Sequence, residues 1–272
     1  MLSKRWWRIV ANQLYLSDDF STAWAGQDPF FCVEKLTGEI YRQVANRKTL
    51  RFELNDKSYF VKIHRGIGLI ETIKSFLLGN APVWGAEEEL LAIKKCQKLG
   101  VDTMTLVAFG VKGFLPWRQV SFLITEELTN TISLEDLCAT WKSEPPSFAF
   151  KKALIEKVAI ISRLLHNNGL NHRDFYICHF LLALSSMHAT SARDVLLYLI
   201  DLHRMQQRDQ TPQRWVVKDI GGLYFSTMDV PFTKRDYYRF IKHYTAQPLK
   251  QALSNAVFWQ QVVVRANELY RK

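Results

Sequence analysis

Residues 148–200 constrain the fold of this chain more than any other stretch. Leu154, Val158, Ile161 and Leu165 fall on one helical face, which predicts a long amphipathic helix from about Phe148 to Asn168. Gly169 stands where such a helix needs a residue that accepts a left-handed backbone. Directly after it come Asn171, His172, Arg173 and Asp174, then two short apolar runs, about 177–184 and 195–200, that read as strands. The second run ends on Asp201, the acidic residue at its exit. The stretch therefore delivers one carboxylate at the end of a helix and another at the end of a strand.

The first half has a different rhythm. Leu50, Phe52 and Leu54 alternate with polar residues, Asn55-Asp56 is a turn signal, and Tyr59, Val61 and Ile63 alternate again, so a hairpin is predicted. An earlier strand is expected at about 39–44, a helix at 85–99 closed by Gly100, and strands at 105–110 and 120–126. This half reads β-β-β-α-β-β. Ser133-Leu-Glu-Asp136 opens a helix as a capping box, Pro145-Pro146 is expected to break it, and the chain from about Pro212 reads as mainly helical. The predicted fold class is α+β: a small β-rich lobe with one main helix, then a larger, mainly helical lobe. The expected division is a basic, aromatic segment at 1–21, a first lobe at 22–128 and a second at 129–272, with a ligand cleft between the lobes.

A His-Arg-Asp tripeptide after a glycine-stopped helix resembles the catalytic loop of protein kinases, and the order of elements matches that fold. Phosphoryl transfer is mostly positioning and charge neutralisation, so it needs a short set of groups. Asp174 is the candidate to hold or deprotonate the attacking hydroxyl, with Arg173 beside it in the catalytic set. Asp201 is the candidate ligand for Mg²⁺, although Leu202-His203 stands where protein kinases have Phe-Gly. Lys62, in Tyr59-Phe-Val-Lys-Ile63, is the candidate for the ATP phosphates; of Glu87, Glu88 and Glu89, the last is chosen by analogy as its partner. No glycine-rich loop separates the first strands. Arg47 and Lys48 stand in that region and are candidates to cradle phosphates, the alternative being a solvated hairpin. Glu126, at the end of the last strand of the first half, is counted with the nucleotide contacts. His179 lies five residues after Asp174, where protein kinases carry a metal-binding Asn; it contacts phosphate or substrate, or only packs.

The run Asn171-His-Arg-Asp-Phe-Tyr-Ile-Cys-His-Phe-Leu-Leu182 resembles the lipopolysaccharide core heptose(I) kinases. So do Asp28-Pro-Phe30, Tyr59-Phe-Val-Lys-Ile-His-Arg-Gly66, Ser121-Phe-Leu-Ile-Thr-Glu-Glu-Leu128, Ile200-Asp-Leu-His-Arg204 and the stretch Lys218 to Ser226. Phe175, in a place where that family often has Cys, and the first twenty residues depart from the pattern. The resemblance implies an ATP-dependent kinase, using Mg²⁺, that phosphorylates the first heptose of the inner core. Its acceptor would be a lipid-A-anchored core oligosaccharide at the cytoplasmic face of the inner membrane. Rival readings are a kinase for the second heptose or an octulosonic sugar, and a pseudokinase, which the joint presence of Lys62, Asp174 and Asp201 argues against.

The formal charge of +10 suits an anionic acceptor or membrane face. Nucleic acid is not expected as a partner, because the chain has no zinc-finger spacing or RNP-like motif. Nothing approaches the ~20 apolar residues of a membrane span, and four scattered cysteines suggest a reducing, cytoplasmic setting. Two segments are candidates for peripheral membrane contact. Lys4-Arg5-Trp6-Trp7-Arg8 is otherwise a solvated terminus, and Gly68–Leu78 is otherwise a helix packed on the first lobe.

Overall fold

The structure is a computed structural model that describes residues 12–44, 46–66, 85–113 and 118–271. The expectations for residues 4–8 and 68–78 lie outside the described residues. The chain divides into two compact units: the described residues up to Leu91 with Met104–Glu127, and Ala92–Thr103 with the residues from Leu128 on.

The first unit begins with β1 (Gln13–Leu16), α1 (Asp18–Ala23) and α2 (Pro29–Lys35). Then come β2 (Glu39–Val44), β3 (Arg47–Leu54), β4 (Lys57–Arg65), the helix α3 (Glu87–Lys98), of which the residues from Ala92 on are assigned to the second unit, β5 (Leu106–Lys112) and β6 (Val120–Glu126). Among the described residues these strands form one antiparallel sheet in the order β1-β5-β6-β4-β3-β2. Asn55 and Asp56 both take positive φ, which matches the right-handed strand twist in a two-residue hairpin. Leu50, Phe52, Tyr59, Val61, Ile63, Phe122 and Ile124 pack on one face against Phe20 of α1, Trp24 at its C-terminal cap, and Cys32 and Val33 of α2. The Phe20 ring meets Trp24 and Tyr59 edge-on at 5.0 and 5.1 Å, and its full burial contributes roughly 2 kcal/mol. Asp28 caps α2 by accepting the Phe30 N–H at 2.9 Å, with Pro29 preset in the first turn.

The predicted hairpin, the strand at 39–44 and the main helix are all present. The β-β-β-α-β-β reading misses β1, α1 and α2. The strand β1 is exposed over three of its four residues, so it carries no alternation to read, and each helix is under two turns.

The second unit runs β7 (Thr131–Ser133), α4 (Leu134–Ala139), α5 (Phe148–Asn167), β8 (Leu170–Asn171), β9 (Phe180–Ala183), β10 (Leu197–Leu199), β11 (Gln206–Gln207), α6 (Gln213–Phe225), α7 (Lys234–Thr245), α8 (Leu249–Leu253) and α9 (Ala256–Tyr270). Its short strands pair as β10-β9-β7 and β11-β8. The stripe predicted on α5 is buried, with Leu154, Val158, Ile161 and Leu165 all in the core. Ser133 accepts the Asp136 N–H as expected, but α4 ends at Ala139, well before Pro145-Pro146. A second cap, Thr233 with Asp236, opens α7; there Lys151 and Arg239 each reach the nearly buried Asp236 carboxylate at 3.0 Å. Burial disfavours the charged Asp236 carboxylate, yet its bonds from Thr233 and Lys151 outweigh that and hold its pKa below the usual value.

Candidate active site

The loop after α5 is built by a tight exit. Gly169 has φ +77°, and a Cβ there would lie 1.7 Å from the Arg208 carbonyl oxygen, so only glycine lets the two backbones approach. β8 then pairs with β11 and leads into His172. The backbone N–H groups of His172 and Arg173 donate to the two oxygens of Asp219, at 2.6 and 2.9 Å. Asp219 sits inside α6 and is 1% exposed. This pair of bonds holds Arg173 at φ +77°, a conformation that costs an ordinary residue roughly 1–2 kcal/mol. His172 Nε2 donates to the Ile200 carbonyl at 2.9 Å, while its buried Nδ1 has no partner among the described residues. Burial pushes the His172 pKa down, so this ring is the neutral Nε2–H tautomer.

Asp174 follows, with a side chain 20% exposed. Arg204 Nη1 donates to both of its carboxylate oxygens, at 2.8 and 2.9 Å. Its backbone carbonyl accepts from His179 Nδ1 at 2.7 Å. The other nitrogen of His179 lies 3.7 Å from Asp201 Oδ2. Burial works against a charged His179, but the Cys178 side chain, the Asp174 carbonyl and Asp201 prevail and raise its pKa to about 9. His179 thus donates to the Asp174 carbonyl through one ring nitrogen and lies within ion-pair range of Asp201 through the other.

Asp201 is presented by β10. Leu199 is held on both sides, its N–H by the Asp102 carbonyl at 2.9 Å and its carbonyl by the Thr103 hydroxyl at 2.6 Å. Ile200 N–H donates to the His179 carbonyl at 3.0 Å. The chain then turns through a left-handed Asp201, φ +60°. His203 Nδ1 pairs with Asp201 Oδ1. A single carboxylate flanked by imidazoles is no cage for a cation, and the described residues hold no group of three or more metal-ligating side chains. It does fit Mg²⁺, which keeps waters and phosphate oxygens and takes one or two carboxylates.

In the first unit Lys62 Nζ bonds Glu89 Oε1 at 2.6 Å, with the Glu89 side chain 1% exposed. Its other oxygen is buried and without a partner among the described residues. The register separates the remaining candidates. Thr49 stands opposite Lys62 and Arg47 opposite His64, so Arg47 shares the Lys62 face of the sheet. Lys48 stands opposite Ile63 and Glu126 opposite Tyr59, both on the other, core-bearing face. Strand alternation therefore turns Lys48 and the Glu126 side chain away from the Lys62 face. Arg173, expected in the catalytic set, stacks its guanidinium on Trp215 at 5.6 Å. Sequence reasoning missed Arg204, His203 and Asp219. The signal for Asp219 was there, a carboxylate on the apolar side of a helix next to Ile220 and Leu223.

A carboxylate loop steadied by a buried acid from a later helix, a second carboxylate on a left-handed turn after a short strand, and a strand lysine paired with a helix glutamate together define a kinase of the protein-kinase-like fold. Residues 32–244 match the profile of the Lipopolysaccharide kinase (Kdo/WaaP) family, and the chain belongs to that family. It is 50% identical over 238 residues to the lipopolysaccharide core heptose(I) kinase WaaP of Escherichia coli, covering 88% of this chain and 89% of the relative. It is 45% identical over 263 residues to the protein of the same name from Pseudomonas aeruginosa, covering 96% and 97%. A solved structure of WaaP in complex with acyl carrier protein superimposes with a TM-score of 0.81 at 42% identity, covering 95% of this chain and 99% of that one.

Proposed function

We propose that this chain transfers the γ-phosphate of ATP to the first heptose of the lipopolysaccharide inner core. The observation that carries the reading is the identity of 45–50% over at least 88% of the chain to kinases named for that substrate. The site residues support it. Asp174 is aligned by Arg204 and accepts the proton of the attacking hydroxyl as its oxygen bonds to phosphorus and the bridging oxygen leaves with ADP. Lys62, held by Glu89, neutralises ATP phosphate oxygens, and Arg47 on the same sheet face assists. Asp201 would hold Mg²⁺, which supplies charge neutralisation at the phosphates when bound. His172 and Asp219 position the loop; His179 ties the Asp174 backbone to the Asp201 carboxylate.

We place the reaction at the cytoplasmic face of the inner membrane, with peripheral contact. Among the described residues no helix is long and apolar enough to cross a membrane, and the charge of +10 favours an anionic surface. Acyl carrier protein, the companion in the solved relative, is proposed as a partner on the strength of that complex, to be tested by co-purification.

The deciding experiment is transfer of labelled γ-phosphate from ATP to purified phosphate-deficient, heptose-containing lipopolysaccharide, with Asp174→Ala as control. Label mapped to the first heptose with wild type alone supports the reading. Transfer to another core sugar, or equal transfer by a folded Asp174→Ala protein, overturns it.

A further inference from the structure

Beside Asp174 the second unit gathers positive charge that the steps above leave unused. Arg173, Arg208, Arg214 and Lys218 lie 5.6, 5.6, 5.4 and 5.3 Å from the centroid of one ring, Trp215. They come from three places: the Asp174 loop, the connection after β11, and the first turns of α6. Arg214 and Lys218 are an i,i+4 pair of like charge, an arrangement that weakens a helix. The attraction of a ring face for a cation is modest, and Arg214 and Lys218 share this ring while repelling each other. Arg208 also donates to the amide oxygens of Asn171 and Gln206. Neither Arg214 nor Lys218 is in ion-pair contact with a carboxylate among the described residues. The Trp215 indole N–H is closed off from solvent and has no acceptor among the described residues.

We infer that this cluster is a subsite for an oxyanion group of the acceptor, a carboxylate or a phosphate, borne close to the hydroxyl that is phosphorylated. Guanidinium groups are suited to both anions, because their planar forks match two oxygens at once. The position assigns the anion to the acceptor rather than to the nucleotide. Arg173 directly precedes Asp174, and Arg204, which grips Asp174, adds to the same positive field. Lys218 reports that field: burial and then the charges of Arg173, Arg265 and Arg204 lower its pKa, and the carboxylate that opposes them is Asp174. An acceptor anchored there is held with its hydroxyl near Asp174, and a neutral sugar is not retained. The subsite is thus a specificity determinant.

The acceptor is identified through the heptose-kinase reading, so the test separates the two. The full-length chain and its Arg214→Gln/Lys218→Gln double variant are titrated with delipidated core oligosaccharide in a calorimeter, which needs no turnover. The single variant Lys250→Gln, at an exposed position of α8, controls for removing a positive charge elsewhere on the same unit. Binding at least tenfold weaker in the double variant, but not in Lys250→Gln, supports the subsite whether or not heptose is phosphorylated. Equal binding by wild type and double variant, or no binding by wild type, overturns it. Oligosaccharide with reduced carboxyl groups and oligosaccharide stripped of phosphate then identify the source, since the double variant ceases to discriminate against whichever form wild type binds poorly. In turnover, the KM for acceptor rises about tenfold with KM for ATP unchanged; a parallel rise in both assigns the cluster to the nucleotide and refutes the proposal.

Discussion

Arg204 holds Asp174 through one nitrogen placed between both carboxylate oxygens, which fixes the carboxylate while each oxygen keeps lone-pair capacity for an incoming hydroxyl. It is a positioning residue, and its loss should act on the chemical step. Arg204→Ala is expected to lower kcat by about 10²-fold, with the KM for ATP within about twofold of wild type. A kcat near wild type would show that the loop alone aligns Asp174. His172 carries a different expectation. Its folded pKa lies below the ordinary 6.5, so the unfolded chain takes up the proton first. The contribution of the neutral ring to stability is therefore complete above about pH 6.5 and is lost as pH falls below it. Melting temperature followed from pH 8 to pH 5 should decline on the acid side, and less steeply in a His172→Gln variant. Identical slopes would mean that the ring does not stay neutral in the folded protein.

At the scale of elements, what periodicity encodes was readable: the β3–β4 hairpin, α5 and its glycine stop, and the apolar run that delivers Asp201. What tertiary partners decide was not. Nothing local tells that Asp219 reaches back 46 and 47 residues to the Asp174 loop, or that Arg204 turns onto Asp174. Arg47 and Lys48 look equivalent in sequence, yet alternation along β3 sends them to opposite faces of the sheet. The β1 strand and the two short helices that cover the sheet have too few residues for a period to show. The exit of α5 is the element most exposed to a single change. Gly169→Ala meets both a left-handed backbone and the Arg208 carbonyl, so the β8–β11 pairing must give way. A loss of about 3 kcal/mol and a fall of roughly 5–10 °C in melting temperature are expected. A melting temperature within a degree of wild type would show that the exit relaxes without strain.

For the whole molecule, net charge is a kinetic property more than a structural one. A chain of +10 meeting an anionic acceptor is steered by long-range attraction, which salt screens over about 8–10 Å. The KM for the lipopolysaccharide acceptor should rise several-fold between 50 and 300 mM salt while the KM for ATP changes less. Salt-independent acceptor kinetics would remove any role for the global charge.

The cysteines of this fold also make it its own unfolding reporter. Cys32, Cys96 and Cys138 are buried, and burial drives the Cys96 and Cys138 thiols up to about 12, where almost no thiolate exists at neutral pH. Cys178 alone of the four is partly open. Brief treatment with a maleimide should add one label to the native protein, at Cys178, and four once it has melted. Mass spectrometry would then count folded molecules in a mixture by the tags they carry, with no assay for phosphate transfer at all.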